Sequence, residues 1–336
     1  MKRSIVLCPG RGSYTKENLH GLTTLHSSKL DTLDALRKTW NRPTVREMDQ
    51  ASKFRSSWHI AGENASILTA GVSATDFDQI STNFDIVGIC GNSMGWYTTL
   101  GLGGALPIEE MGRLIETMGQ YQKGNVIGGQ LVYSLVNEQW KVVPERLALV
   151  ERIVLETPDL YWSIRLGGQA ILGGTDEALQ QAIERLPTID GPRPFPFKLP
   201  LHSAFHTPLM EESHRQALKD LSNLQITTPK IPMIDGNGHI WRPKACSTTK
   251  LLDYTLGQQV TDTYDFSAMI RTALTHFAPD HIILLGPGSN LGGAIAHVLI
   301  EQRWQGITSK ADFLQRQQQD PFVLAMGRDD QRSLVL

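Results

Sequence analysis

Four short apolar runs stand out along the chain, at residues 5–8, 86–90, 231–234 and 281–285. They are rich in β-branched residues and are bounded largely by Gly, Pro or Asp. Continuous apolar runs of this kind are typical of strands that are covered on both faces, as in a parallel sheet. Between them, apolar residues recur at helical spacing in residues 31–38, 108–121 and 266–277. Strands that alternate with helices predict an α/β fold.

Residues 128–197 carry a second pattern. It predicts a strand at 130–135, a helix at 144–156, strands at 161–164 and 169–172, a helix at 175–186 and a last strand at 195–199. This order resembles a ferredoxin-like unit. The prolines of residues 187–200 indicate an extended return linker. We therefore expect a large subdomain of residues 1–127 and 198–336, with a ferredoxin-like small subdomain of residues 128–197 inserted in it.

Composition excludes several classes of protein. The 336 residues are 40% hydrophobic, which excludes a disordered chain, and 32 basic against 34 acidic residues give a net charge of −2. No overall basic field exists, so we expect neither nucleic acid nor a membrane as partner. The three cysteines, Cys8, Cys90 and Cys246, lack a CxxC spacing, so we expect no disulfide framework and no metal site. The short N-terminal apolar stretch does not fit a signal peptide, and we expect a cytoplasmic protein.

The strongest chemical motif is GNSMG at residues 91–95, which has the form GxSxG. It follows a predicted strand and precedes a helical stretch, which is the context of a nucleophile elbow in α/β-hydrolase-like folds. The turn would present the hydroxyl of Ser93 at the carboxyl edge of the sheet. The backbone N–H of Met94, at the start of the next helix, would be placed to stabilise an oxyanion.

A serine nucleophile needs a general base, and histidine is the usual one. The chain has 10 histidines, and composition alone does not choose among them. The best neighbourhood is LHSAFHTPLM at residues 201–210, which follows the proline-rich linker and contains both His202 and His206.

Six motifs in order give the chain a resemblance to the malonyl-CoA:acyl carrier protein transacylase family, which includes the acyltransferase domains of polyketide and fatty acid synthases. They are CPGRGS at residues 8–13, NASILTA at 64–70, NSMGWY at 92–97, GQAI at 168–171, FHTPLM at 205–210 and LGPG at 285–288. The resemblance extends from about residue 5 to residue 299. It implies an α/β-hydrolase-like parallel-sheet core with an inserted ferredoxin-like subdomain.

The resemblance also implies roles for individual residues. Ser93 becomes the acylated nucleophile and His206 its general base, while the backbone carbonyl of Gln259 orients the histidine in place of a carboxylate. The oxyanion donors would be the backbone N–H groups of Arg11 and Met94. The implied reaction is ping-pong transfer of an acyl group from acyl-CoA to the phosphopantetheine of an acyl carrier protein, with no metal and no other cofactor.

Asn64, Asn92 and Phe205 would contribute to substrate binding. Asn92 stands where the family has histidine. Phe205 precedes His206 in SAFH, a partial match to the HAFH of malonyl-selective members. The candidates for a local basic rim that meets the acidic carrier protein are Lys123, Arg165, Arg193 and Lys198.

The chain departs from the family at the residue that selects malonyl. An arginine in the helix after the nucleophile pairs there with the substrate carboxylate, and this chain has Met118 at that position. Methionine cannot neutralise a carboxylate, so we expect malonyl preference to be lost. The rival hypothesis is that Arg165 of the small subdomain reaches the acyl pocket. An editing acyl-thioesterase, in which water replaces the carrier thiol, is the alternative function.

Overall fold

The computed structural model describes residues 1–22 and 25–336 and confirms the α/β fold. The strands are β1 (Lys2–Cys8), β2 (Phe84–Gly91), β3 (Gly129–Ser134), β4 (Leu160–Leu166), β5 (Gln169–Gly174), β6 (Phe197–Lys198), β7 (Met233–Ile234), β8 (Ile240–Trp241), β9 (Tyr264–Asp265), β10 (His281–Leu284) and β11 (Val323–Ala325). Each of the four runs predicted as strands overlaps a strand of the main sheet, namely β1, β2, β7 or β10.

Helices fill most of the sequence between the strands. They are α1 (Ser28–Thr39), α2 (Val45–Asp49), α3 (Ser56–His59), α4 (Gly62–Gln79), α5 (Gly95–Leu102), α6 (Ile108–Gln120), α7 (Pro144–Glu156), α8 (Asp176–Arg185), α9 (Glu211–Asp220), α10 (Thr248–Asp253), α11 (Gln259–Thr261), α12 (Phe266–Phe277), α13 (Gly292–Glu301), α14 (Lys310–Gln319) and α15 (Asp329–Arg332). A π-helical turn, Tyr254–Gln258, joins α10 to α11. No helix of the described residues is long and apolar enough to cross a membrane.

The main sheet has the strand order β11-β10-β1-β2-β7-β8 and is parallel except for the β7–β8 pair. Strand β1 lies inside this sheet and is buried on both faces. Ile5 and Leu7 belong to one apolar core, and Val6 and Cys8 belong to another. Because successive side chains of a strand point to opposite faces, two covered faces require an unbroken apolar run.

The second sheet has the order β6-β3-β5-β4-β9. Its first four strands are antiparallel neighbours, with the first in sequence lying between the fourth and the third, which is the arrangement of a ferredoxin-like unit. Strand β9 comes from outside residues 128–197 and pairs in parallel with β4, Ile164 opposite Tyr264. The small sheet is therefore completed by a segment of the main body of the chain, and that segment follows shortly after Gln259.

A buried ion pair connects helix α6 to helix α1. The carboxylate of Glu116 accepts hydrogen bonds from Arg37, which is 1% exposed, and from Arg42 of the loop after α1. A second nitrogen of Arg37 donates to the side-chain oxygen of Asn64 at 2.7 Å. These contacts fix the position of α6, on which Met118 lies two residues after Glu116.

Candidate active site

Ser93 lies in a sharp turn between β2, which ends at Gly91, and α5, which begins at Gly95. Its φ of 55° is in the left-handed region, which costs a residue other than glycine roughly 1–2 kcal/mol. The turn has no room for side chains at its flanking glycines. A Cβ at Gly91 would overlap the carbonyl oxygen of Gly95, and a Cβ at Gly95 would overlap that of Cys8. The glycines of GxSxG are thus required by packing, and the turn has the strand–turn–helix geometry of a nucleophile elbow.

The hydroxyl of Ser93 contacts a buried histidine. Its Oγ lies 2.7 Å from Nε2 of His206, and Nδ1 of the same ring lies 2.6 Å from the backbone oxygen of Gln259. A carbonyl oxygen only accepts, so Nδ1 carries the proton and Nε2 presents its lone pair to Ser93. Burial lowers the pKa of His206 to about 4, against the smaller opposing effect of the hydrogen bond to Gln259. The imidazole is therefore neutral at pH 7, as a general base must be.

Gln259 contacts both members of this pair. Its backbone carbonyl accepts from His206, and its side-chain Nε2 donates to the backbone oxygen of Ser93 at 3.1 Å. The hydroxyl of Tyr97 on α5 donates to its Oε1 at 2.7 Å. Gln259 follows the π-helical turn directly, and such turns are frequent at functional sites. One residue thereby fixes the position of the histidine relative to the serine.

The two predicted oxyanion donors lie beside this pair. Arg11 and Met94 both line the cavity that contains Ser93. The backbone N–H of neither residue donates a hydrogen bond to any group in residues 1–22 and 25–336. Both amides are therefore available to a bound group, as the donors of an oxyanion hole must be.

The serine and histidine open into a cavity of about 820 Å³ between the two sheets. One wall is formed by the main body, including Met118 and Asn92, and the other by the small sheet, including Ile164 and Leu166. Phe205 also lines it. The buried Oδ1 of Asn92 has no hydrogen-bond partner in the described part of the chain. This largely apolar space can hold an acyl group and part of the arm that carries it.

Two residues predicted to bind substrate do not reach the cavity. The side chain of Asn64 is buried at the start of α4, where its oxygen accepts from Arg37 and its nitrogen donates to the backbone oxygen of Trp58 at 3.0 Å. Its polar atoms are thus used within the protein. Two residues further along α4, Ser66 lines the cavity instead.

Arg165 also lies elsewhere. On β4 the neighbouring residues Ile164 and Leu166 line the cavity, and Arg165 between them does not. Its guanidinium lies 4.3 Å from the ring centroid of Trp162, in a cation–π contact. Because side chains alternate along a strand, Arg165 is directed to the other face of the sheet. The structure therefore does not place it as a substitute for the arginine missing at position 118.

Sequence reasoning missed Gln130 in the polar lining of the cavity and identified His202 only as a candidate base. His202 lines the cavity, and its Nδ1 lies 2.7 Å from Oε1 of Gln130, whose Nε2 donates to Ser163 at 2.6 Å. Burial, with a smaller effect of the Arg11 charge, lowers the pKa of His202 to about 3. His202 is therefore a second neutral histidine, but its partners do not include Ser93. Among the described residues, no cluster of His, Cys, Asp or Glu is arranged to hold a metal ion.

Comparison with known proteins supports the resemblance. No family model matches the chain. Among curated proteins, the malonyl CoA-acyl carrier protein transacylase of Haemophilus influenzae is 23% identical over 248 residues, 70% of this chain and 74% of that protein. The similarity covers most of both proteins.

Solved structures share the fold over essentially the whole chain. The malonyl CoA-acyl carrier protein transacylase of Coxiella burnetii superposes with a TM-score of 0.76 at 17% identity, covering 100% of this chain and 98% of that one. The corresponding enzyme of Synechocystis sp. PCC 6803 gives 0.74 at 15% identity, covering 99% and 100%. A malonyl-transacylase solved with the acyl carrier protein of a type II polyketide synthase gives 0.75 at 16% identity, covering 100% and 99%.

Proposed function

We propose that this chain is an acyl carrier protein S-acyltransferase that works through an acyl-Ser93 intermediate. The observation that carries the proposal is the hydrogen-bonded arrangement of Ser93, His206 and the Gln259 carbonyl at a nucleophile elbow. It opens into a cavity large enough for an acyl group and its arm. The sequence relative is named a malonyl CoA-acyl carrier protein transacylase, and transfer of an acyl group of this kind fits this chemistry.

The first half-reaction acylates the serine. Nε2 of His206 takes the proton of Ser93, and Oγ attacks the thioester carbonyl carbon. The tetrahedral oxygen accepts hydrogen bonds from the backbone N–H groups of Arg11 and Met94. The carbon–sulfur bond then breaks, and the departing thiolate of coenzyme A receives the proton held by His206. The enzyme now carries an ester at Ser93.

The second half-reaction reverses these steps with a new thiol. His206 removes the proton from the phosphopantetheine thiol of the carrier, and the sulfur attacks the acyl carbon of the ester. The bond between that carbon and Ser93 Oγ breaks, and the oxygen regains its proton from His206. The scheme uses no metal or redox cofactor. Coenzyme A and phosphopantetheine take part as substrates.

The carrier protein is the proposed macromolecular partner. One of the structural neighbours was solved bound to a carrier protein, and carrier proteins are typically acidic. Arg193, which is exposed at the edge of the cavity, would meet such a surface. Lys198 is less available because it pairs with Asp176 at 2.8 Å.

Met118 gives the cavity an apolar wall where an arginine would bind a carboxylate, so we propose that this position does not select malonyl. The same change is compatible with the hydrolytic alternative, in which water removes the acyl group from Ser93. The two functions differ in the fate of the intermediate. Isolated acyl-enzyme that decays faster with carrier protein than with water supports transfer, and the reverse supports the thioesterase.

The central test is intact-mass measurement after incubation with a panel of acyl-CoA donors. The wild-type protein should gain the mass of one acyl group, and the Ser93→Ala protein should gain none. His206→Ala should slow acylation by about 10²–10⁴-fold, and His202→Ala, the matched control, far less. Acylation of Ser93→Ala, or equal effects of the two histidine variants, would contradict the assignment.

A further inference from the structure

The side chain of Arg11 lies in the wall of the active-site cavity as a largely buried cation. Its Nη2 donates to the backbone oxygens of Leu201 at 2.6 Å and Ile60 at 3.2 Å, and the guanidinium lies 5.7 Å from the ring centroid of Phe205. Nε is buried without a partner in residues 1–22 and 25–336. The guanidinium thus keeps unused donors beside Phe205, the residue that precedes His206.

No carboxylate of the described residues lies within 4.0 Å of Arg11. Glu63 acts on it only from further away, where it partly opposes the effect of burial. Burial lowers the pKa of Arg11 to about 10, so the group remains positively charged at neutral pH. A buried charge that lacks an ionic partner is costly, and the cost is recovered when an anion binds.

The other charged groups of the cavity wall do not fill this role. Lys16 and Glu17 are exposed and lie 3.7 Å from each other, and Arg193 is exposed over the ring of Phe197. The pKa values of about 3 and 4 leave His202 and His206 neutral. Within the described cavity wall, Arg11 is therefore the one positive charge that is largely removed from solvent.

We propose that the guanidinium of Arg11 binds a free carboxylate on the acyl group, which makes Arg11 a specificity-determining residue. The inference rests on the proposed acyltransferase function. Arg11 lies in the loop after β1 and supplies a cation to the cavity. Met118 on α6 cannot supply one. The protein then prefers a dicarboxylic half-thioester of the malonyl type to a neutral acyl donor such as acetyl-CoA, which still reaches Ser93.

Reach distinguishes the acyl carboxylate from the phosphates of coenzyme A. The backbone N–H of Arg11 is proposed to face the thioester oxygen, so its guanidinium ends within one side-chain length of that oxygen. The carboxylate of a malonyl group is two carbons from the thioester carbonyl. The phosphates lie at the far end of the pantetheine arm, which leads away from the serine.

Binding to a Ser93→Ala protein tests this inference without turnover. Calorimetric titration with malonyl-CoA and acetyl-CoA gives the ratio of their affinities. We expect malonyl-CoA to bind more tightly, and Arg11→Gln in the same background to reduce the ratio about tenfold or more, since a charge-assisted hydrogen bond is lost. Arg11→Lys keeps the charge without the planar fork and should give an intermediate ratio.

Arg165→Gln is the matched control, because it removes the same charge outside the cavity and should leave the ratio unchanged. Thermal unfolding of each variant establishes that it is folded. Acetyl-CoA binding as tightly as malonyl-CoA, or an Arg11→Gln ratio equal to that of its parent, would overturn the inference. Malonyl-pantetheine and acetyl-pantetheine provide the last arm. If Arg11→Gln weakens binding of both coenzyme A esters equally and leaves binding of both pantetheine esters unchanged, Arg11 binds the phosphates and the proposal is refuted.

The two proposals fail separately. Absence of an acyl mass on wild-type Ser93 would refute the acyltransferase, whatever the affinities. An acylated Ser93 together with an unchanged affinity ratio would refute only the role of Arg11.

Discussion

Acylation of Ser93 should remain fast at a pH at which an ordinary histidine base would be protonated. Only neutral His206 accepts the proton of Ser93, and burial lowers its pKa from 6.5 to about 4. At pH 5 a group of pKa 4 is about 90% neutral, and one of pKa 6.5 only about 3%. The acylation rate at pH 5 should thus be roughly thirty times higher than an unperturbed histidine would allow.

The assay is single-turnover acylation by acetyl-CoA, quenched at successive times and followed by intact mass between pH 4 and pH 8. Acetyl-CoA avoids titration of an acyl carboxylate. We expect a plateau from about pH 5 upward and a fall toward pH 4. His206→Ala should remove this pH dependence along with most of the rate. A midpoint near pH 6.5 in protein that is still folded would refute a buried, desolvated base.

Three further outcomes are expected from the same contacts. Because burial lowers the pKa values of His202, His206 and His297 below 6.5, protonation favours the unfolded chain. The free energy of unfolding should then be highest above pH 6.5 and fall by several kcal/mol toward pH 4. Urea denaturation that gives the same free energy of unfolding at every pH in this range would contradict this. Ser93→Gly should be more stable than Ser93→Ala by about 1 kcal/mol in thermal unfolding, because both lose the hydroxyl but only glycine relieves the positive φ. Glu116→Ala should lower the free energy of unfolding by about 3–5 kcal/mol, because it leaves the buried charge of Arg37 without its partner. A change below about 1 kcal/mol would show that this ion pair does not stabilise the fold.

The sequence predicted four of the six strands of the main sheet, because burial on both faces requires an apolar run, and it missed the short edge strands β8 and β11. Residues 5–8 read as a strand from composition alone, and β1 includes them. The two-residue strand β9 has no such run, since Tyr264 becomes a strand residue only by pairing with Ile164, 100 positions away. The π-helical turn before Gln259 was missed for a related reason. Its backbone contacts distant side chains, such as His214, whose Nδ1 lies 2.6 Å from the backbone oxygen of Leu256.

A site residue was predictable where a motif fixes its backbone conformation. It was less predictable where the direction of its side chain determines whether it reaches the cavity. GxSxG located Ser93, because its glycines follow from packing in the turn. Arg165 was predicted to reach the cavity because its charge was considered and its position in the strand was not. Its apolar neighbours Ile164 and Leu166 indicate which face of β4 is covered, and Arg165 lies on the other face. Asn64 was misplaced because its partner, Arg37, lies 27 positions earlier and its burial is set by tertiary contacts.

The group that orients His206 is a main-chain carbonyl rather than a side chain. No substitution at position 259 can delete it, provided the backbone keeps its path, whereas a carboxylate in that place could be lost by a single point mutation. The same holds, for every substitution except proline, of the amides that would face an oxyanion at positions 11 and 94. Natural variation at these three positions can therefore change which acyl groups are accepted while the catalytic groups persist, so that specificity can evolve in residues immediately beside the reacting atoms.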